Sequence, residues 1–398
     1  MFRGPDVPSR RWPAPALSVV CATMVEMTTS GSTLRRLRLA AQRIEGGEFT
    51  TPTEVVTWML ARQGQDLPGA KWSVGLRALG TTLADVDAAL ARGEIIRSWP
   101  MRGTLHLVPA VDIGWMLQLT GERTLRSLAT RHRELGLDDA TFGQARDMAT
   151  KVLEGGRSAT RAELFQAFEA AGIATTGQRG AHLIGQLHQI RQLCLGPMRG
   201  SDQAVVLLDE WVPNPRKLDR EQSLGEFVQR YFASHGPATV RDFAWWTKLP
   251  VRDAAIGMAL ARQHLEELVV DDVSYWMAPG LPDRASRRVH ALPGFDEFLL
   301  GYQDRSASLA AEHAPVIVPG NNGMFQSTIV IGGGVAGLWR RKKTAAGVAV
   351  TPLPFEALSA RQLSAFGAAA DAYGRFLGVP VTVAAPPDGQ HQAMPPPR

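Results

Sequence analysis

Two glutamines, Gln63 and Gln65, stand at i and i+2 in the run Arg62-Gln63-Gly64-Gln65-Asp66-Leu67-Pro68-Gly69-Ala70, where a helix-like stretch breaks off. Side chains alternate along an extended chain, so both amides face the same way if the segment is strand-like. Each amide offers a carbonyl that accepts and an NH2 that donates. Spacing alone leaves two readings open, a hydrogen-bonding site and a bland surface loop, because no rule of catalysis demands glutamine. Asp66 competes with the pair: a carboxylate there is a ready general base, although in an extended chain it points opposite to Gln65.

The tetrapeptide Pro-Met-Arg-Gly occurs twice, at Pro100–Gly103 and Pro197–Gly200, each time between short apolar runs. Glu94–Trp99 and Thr104–Val108 flank the first copy, and Gln192–Gly196 and Ala204–Leu208 the second. Both are predicted β-hairpins that carry Arg102 and Arg199 at polar tips. Helical stretches precede each hairpin, and a hairpin closing a helical trio is the wing of a winged helix, a DNA-docking module. Arg102 and Arg199 are then either solvated tips or phosphate contacts, each contact steepening the salt dependence of binding by about 0.9. His106 alternates with Leu105 and Leu107 and is expected to face DNA or solvent.

Other chemistries fit less well. Gly332-Gly-Gly334-Val-Ala-Gly337 satisfies a dinucleotide-binding glycine pattern, but a phosphate loop must open a helix of about a dozen residues. Leu338-Trp-Arg-Arg-Lys-Lys leads instead within ten positions to Ala345-Ala-Gly347, so a hairpin is expected and no nucleotide cofactor. Nine histidines show no metal-ligand spacing and the two cysteines, Cys21 and Cys194, make no thiolate cage, so no metal is expected. Trp245-Trp246 sits at helical spacing with Phe243 and reads as core rather than a stacking platform.

The elements that must position these residues follow from caps and breakers. Thr51-Pro52 opens a helix through Leu60, and Thr82 caps another through Leu90 before the first hairpin. Ala110–Arg133 and Asp139–Leu153 read as connecting helices. Thr160 caps Arg161–Ala171, and Gly177–Leu193, bearing Arg179, reads as a recognition helix. A third copy runs from Leu224 to a hairpin of Leu268–Val270 with Ser274–Met277 across Asp271-Asp272, an acidic tip suited to scaffolding. Beyond Pro279, short β-branched runs indicate a small barrel-like domain closed by a helix over Ala360–Leu377. The basic residues Arg35, Arg36, Arg38 and Arg43 read as a solvated face.

The expected fold is thus α+β, mainly α. Residues 1–31 form a disordered extension, with Met24 or Met27 as alternative starts. Residues 32–133 form winged helix 1 with a connecting helix, 134–215 winged helix 2, 216–280 winged helix 3, 281–383 the β-barrel-like domain, and 384–398 a disordered tail. At 398 residues, net charge +5 and pI near 9.5, the chain suits a polyanionic partner without requiring one. Scarce cysteine points to a reducing cytoplasm, and no apolar run approaches the roughly 20 residues that span a bilayer.

The sequence resembles the winged-helix DNA glycosylases of the AlkZ and YcaQ type over roughly Thr33 to Leu377. The resemblance rests on Met59–Ala70, on Arg97-Ser-Trp-Pro-Met-Arg-Gly-Thr-Leu-His-Leu-Val, and on Leu292-Pro-Gly-Phe-Asp-Glu-Phe-Leu-Leu-Gly-Tyr-Gln-Asp-Arg. It implies tandem winged helices gathered with a β-barrel and a catalytic motif of Gln, an apolar residue, then Gln or Asp. Gln63 and Gln65 match the polar positions. Gly64 departs from the apolar middle residue, an expected source of looseness. By this resemblance the protein is a monomeric, cofactor-free glycosylase that releases bulky or cationic N7-alkylated purines, crosslink-derived adducts included, from double-stranded DNA. One amide carbonyl would accept from a water beneath C1′ while its NH2 donates to a phosphate or to the other glutamine, and Arg62, Arg102, His106, Arg179 and Arg199 would contact DNA. The competing reading is a non-catalytic winged-helix regulator or lesion-binding protein, which calls for a symmetric dimer.

Overall fold

Local capping sets the helices. In the computed structural model, which describes residues 31–385, α1 (Gly31–Ala41) leads to α2 (Pro52–Met59), whose start is a capping box between Thr51 and Glu54 with Pro52 in the first turn. Residues 1–30 and 386–398, and with them both alternative start methionines, lie outside the described residues; Gly31 already belongs to α1. Strand β1 (Arg62–Gln63), α3 (Leu67–Gly75) and α4 (Leu83–Ala91) precede the first hairpin, β2 (Ile95–Met101) and β3 (Thr104–Pro109). Next come α5 (Ile113–Glu134), α6 (Asp139–Leu153), α7 (Arg161–Ala170), α8 (Arg179–Gln189) and the second hairpin, β4 (Leu193–Arg199) with β5 (Asp202–Leu207). A short α9 (Leu208–Trp211) links to α10 (Arg220–His235), α11 (Val240–Thr247), α12 (Val251–Ala261) and a third hairpin, β6 (Glu266–Val270) with β7 (Val273–Met277). Its Asp271-Asp272 tip turns with both residues at positive φ, 48° and 59°.

The two Pro-Met-Arg-Gly hairpins do not stand apart. They join in one five-stranded sheet of order β1-β3-β2-β4-β5, linked where Arg97 of β2 pairs with Leu195 of β4. The third hairpin remains a separate two-stranded sheet. The second helix–hairpin unit has a core of its own, with Leu153, Leu164, Phe168, Leu183 and Leu193, but the first does not. Leu60, Ile96 and Met101 pack with Trp115, Phe227, Trp246 and Tyr302 in one cluster, while Val55, Trp72 and Val74 pack with Trp339, Phe366 and Tyr373 in another. Burying each such large side chain contributes roughly 1.5–3 kcal/mol, so the first unit is stabilised mainly by elements far along the chain.

The C-terminal part holds β8 (Val289–Leu292), α13 (Glu297–Leu300), α14 (Ala314–Ile317), β9 (Thr328–Ile331), β10 (Gly334–Thr344), β11 (Gly347–Pro354), α15 (Ala360–Leu377) and β12 (Val381–Val383). The strands form an open sheet, order β12-β11-β10-β9-β8, rather than a closed barrel. The glycine pattern is a hairpin turn: Gly332 and Gly333, at φ 55° and 83°, join β9 to β10. The supposed solvated face on α1 is partly inverted, because Arg38 is buried under the Tyr302 ring, 3.8 Å from its centroid, with Nε donating to Pro237 O at 3.0 Å. No helix among the described residues is long and apolar enough to cross a membrane.

Candidate active site

The site forms on the edge strand of the first sheet. Leu60, at φ 62°, turns the chain out of α2 so that β1 runs antiparallel to β3, with Arg62 opposite Leu107 and Gln63 opposite His106. Gly64 N–H donates to Leu105 O at 2.6 Å, which carries the extended course on to Gln65. Gln63 and Gln65 therefore share a face, with Thr104 and His106 of β3 beside them.

Their surroundings differ. Gln63 is 7% exposed; its Oε1 accepts from Arg102 Nη2 at 3.0 Å and Thr104 Oγ1 at 3.2 Å, and its backbone N–H donates to Glu297 Oε1 at 3.0 Å. Because arginine only donates, the amide oxygen must face Arg102; both its lone pairs are engaged and the NH2 is the end left over. Gln65 is exposed, and its Oε1 accepts from Leu105 N–H at 3.2 Å, leaving a second lone pair and the NH2.

His106 is fully buried, a correction to the expected outward ring, because Arg102 folds over it. Its Nε2 lies 3.0 Å from Arg102 Nη2 and its Nδ1 2.9 Å from Thr104 O. An arginine can only donate and a carbonyl can only accept, so the proton sits on Nδ1. Burial and the Arg102 charge push the ring down to about 3, which keeps it neutral.

Two carboxylates from the start of α13 lock the site to the C-terminal part. Asp296 takes Arg62 Nη2 at 3.1 Å and Arg77 Nη2 at 2.8 Å, and accepts from Ser73 Oγ. Burial opposes its charge, but the two guanidiniums hold it well below the usual carboxylate range. Glu297, also fully buried, takes Gln63 N–H and Trp246 Nε1–H, the latter at 2.8 Å; against burial, the His235 ring and the charges of Arg102 and Arg62 hold it at about 2.

Gly64 is pinned, not loose. Its carbonyl accepts from Arg97 Nε at 2.8 Å, and a Cβ there would come within 3.3 Å of Leu107 N and 3.4 Å of Arg97 Nε. The Arg97 side chain crowds the space an apolar middle residue would need. Asp66 is drawn aside to β10, where Arg341 Nη2 donates to its Oδ2 at 3.3 Å.

Of the remaining arginines, Arg62 requires correction as a DNA contact, while the partly exposed Arg179 and the exposed Arg199 each have partners within the protein. Strand alternation turns Arg62 away from Gln63 and into the interior, where it is 1% exposed against Asp296. The Arg179 guanidinium donates to the carbonyls of Ala174, Gly136 and Leu135, tying the start of α8 to the α5–α6 turn. Arg199 pairs with Glu163 at 2.5 Å, the residue that also completes the Thr160 capping box. Of the four arginines, only Arg102 reaches a glutamine side chain with its guanidinium.

Sequence reasoning missed several groups. Asp296 and Glu297 were visible as acids inside an apolar stretch, but nothing local names their partners. Trp245 is half-buried, unlike the fully buried Trp246, and Arg305 joins Arg102 beside its ring. The exposed run Arg340-Arg-Lys-Lys343 on β10 was readable as four consecutive cations next to a turn.

Comparison with known proteins bears on this arrangement directly. The sequence profile of the family described as DNA glycosylase AlkZ-like matches residues 56–376. The chain belongs to the AlkZ-like DNA glycosylase family. A relative from Streptomyces sahachiroi, described as an interstrand DNA cross-link repair glycosylase, is 22% identical over 345 residues, covering 80% of this chain and 89% of its own. The solved structure of Streptomyces sahachiroi DNA glycosylase AlkZ matches with a TM-score of 0.74 at 22% identity, over 90% of this chain and 100% of that one, so the two share a fold. The AlkZ-like match spans β1, both hairpins of the first sheet and α13, and so takes in every group of the site. As an AlkZ-like DNA glycosylase the protein is a hydrolase that acts on DNA.

Proposed function

We propose that this glycosylase hydrolyses the N-glycosidic bond of cationic N7-alkylated purines in double-stranded DNA, with Gln63 and Gln65 ordering the attacking water. One observation carries the reading: two amides share the β1–β3 face, and among the described residues the neighbouring carboxylates Asp66 and Glu297 already have partners. Asp66 is held by Arg341, and Glu297 is taken up by Gln63 N–H and Trp246. His106 is neutral, but its unprotonated nitrogen is occupied by Arg102. Such a site lacks the general base that usually supplies about 10²- to 10⁴-fold. It suits a leaving group that needs no help.

An N7-alkylated purine is that leaving group. Its ring is cationic, so the C1′–N9 bond breaks with the electron pair neutralising the departing base. The water oxygen bonds to C1′, and its proton passes to solvent. What the protein contributes is orientation, for which ~7–11 kcal/mol is the upper range. Gln65 keeps a carbonyl lone pair for the water. Off DNA, Gln63 presents its NH2, because Arg102 and Thr104 occupy its oxygen. The sequence left open which of the two amides accepts from the water, and in the DNA-free protein it is Gln65 that has the free lone pair. The resemblance to tandem winged helices supports docking on duplex DNA through the helix–hairpin units, and the relative's crosslink repair supports including bulky crosslink-derived adducts among the substrates.

The test is abasic-site formation in duplex DNA carrying 7-methylguanine or a bulky N7-alkyl adduct. Tight binding to such duplexes with no base released from any of them would leave only a DNA-binding role.

A further inference from the structure

Trp245, on α11, lies half-buried among cations. Arg305 Cζ is 5.0 Å, Arg102 Cζ 5.6 Å and Lys248 Nζ 5.8 Å from its ring centroid. Arg102 donates to Gln63 Oε1, His106 Nε2 and Leu300 O, and Arg305 to Leu299 O and Gln303 O, all neutral acceptors. Among the described residues, no carboxylate forms an ion pair with any of these cations. Burial holds Arg305 down at about 10 against the pull of the nearby Asp242 carboxylate, with Arg102 adding to the lowering and Asp304 opposing it. Asp242, Asp304 and Glu297 lie near enough to act on Arg305 and Arg102 through their charge but are not bonded to them, so the cluster gathers cationic donors on a partly dry aromatic surface with no carboxylate seated among them.

We propose that Trp245, Arg102, Arg305 and Lys248 seat a backbone phosphate of the lesion-bearing DNA, and that Arg102, in turning to it, releases the Gln63 carbonyl to accept from water. The inference rests on the reading of Gln63 as a water-ordering group. Its logic is one of competing acceptors. A charge-assisted hydrogen bond from guanidinium to phosphate is roughly twice as strong as one to a neutral amide oxygen. Arg102 sits in a two-residue turn at φ 58°, beside Gly103 at 66°, between the last residue of β2 and the first of β3, so turning its side chain breaks no strand pairing. Off DNA, the arginine keeps the glutamine in its donor orientation. On DNA, the phosphate takes the arginine, and the freed lone pair joins that of Gln65. Arg102 is therefore a positioning residue that couples backbone engagement to readiness of the site, and a free alkylated nucleoside, lacking the flanking phosphate, is not a substrate.

The experiment uses the full chain and 7-methylguanine duplexes in which phosphates near the lesion are replaced one at a time by uncharged methylphosphonate, read as single-turnover release rate and Kd. At one position the wild-type release rate is expected to fall about tenfold or more, the scale of one charge-assisted hydrogen bond. Arg102→Met is expected to bind more weakly and to release base at a rate that no longer responds to that replacement. Arg305→Met and Lys248→Met are each expected to lower the salt slope of binding by about 0.9. No sensitive position in the wild type, or an Arg102→Met protein that stays as sensitive as the wild type, overturns the proposal. A wild-type protein that releases no base from ordinary phosphodiester duplexes would instead sink the glycosylase chemistry, while the salt slopes of the Arg305 and Lys248 variants would still report on the phosphate seat.

Discussion

The two Pro-Met-Arg-Gly hairpins share four letters and end differently. In the first, the reversal falls on Arg102-Gly103, both at positive φ, and Met101 pairs with Thr104. In the second it falls one residue later, with Gly200 at φ 65° and Arg199 still in the strand opposite Asp202. Two extra polar residues before the apolar run, Ser201-Asp202-Gln203 against Thr104 alone, account for the slip, and a one-residue slip of the turn redirects a side chain. Arg102 folds back over His106 onto Gln63, while Arg199 runs out to Glu163. The first hairpin is also anchored from behind, since Thr120 of α5 donates to Pro100 O and Gln189 of α8 to Trp99 O. Similar sequence therefore produces a site-forming hairpin only where the turn phase and the packing both allow it.

Breaking the Asp296 network that holds β1 beside the first hairpin has the largest expected effect. Asp296→Ala strands Arg62 and Arg77 in the interior and is expected to lower unfolding free energy by about 3–5 kcal/mol in urea titrations, the cost of leaving a buried charge unpaired. A loss under about 1 kcal/mol would show that the network does not hold β1. Next in size is chemistry: Gln63→Ala with Gln65→Ala is expected to reduce single-turnover base release by about 10²- to 10³-fold, the scale for removing a preorganised hydrogen-bonding group, with folding intact. Activity that survives the double change removes the site assignment.

The buried histidines sharpen the comparison through pH. Burial, with the charges of Arg102 and Arg97 respectively, holds both His106 and His188 at about 3, against 6.5 for the free side chain. Each is depressed, so the unfolded chain takes the proton first. Stability is full above about pH 6.5 and declines as pH falls toward 3, by up to about 1.4 kcal/mol per pH unit for each ring. Replacing His188 with Gln is expected to flatten that slope in urea unfolding measured between pH 7 and 5; an unchanged slope would mean that the ring is not held neutral. The smallest effect belongs to the second hairpin. Arg199→Ala removes an exposed pair and is expected to leave both the urea midpoint and the rate of base release where they were. A marked fall in release would restore Arg199 to the DNA contacts.

Much of the scaffold was legible because its determinants are local. Thr51 with Glu54, Thr82 with Asp85, Thr160 with Glu163 and Thr239 with Asp242 each close a capping box within one turn. The Asp271-Asp272 and Gly332-Gly333 turns likewise lie where their residues tolerate positive φ. The amide pair was visible too, since an i, i+2 spacing needs only an extended chain to bring both residues to one face. What each arginine does was not, because a guanidinium reaches whatever acceptor the fold delivers. Arg62 meets Asp296 across 234 positions of sequence, and Arg102 meets Leu300 across 198.

The sequence by itself thus determined the threonine-capped helices, the turns and the neutral pair proposed to order a water, whereas Phe298–Leu300 and Val316–Val318, which read as β-like runs, fall in or beside the short helices α13 and α14. Only tertiary structure decided that two hairpins would merge into one sheet, that Arg38, Arg62 and His106 would turn inward, and that Arg102 would hold the oxygen of Gln63. Caps and turns are settled by neighbours a few residues away. The partner of a long, charged side chain depends on which distant groups packing brings within about 3 Å.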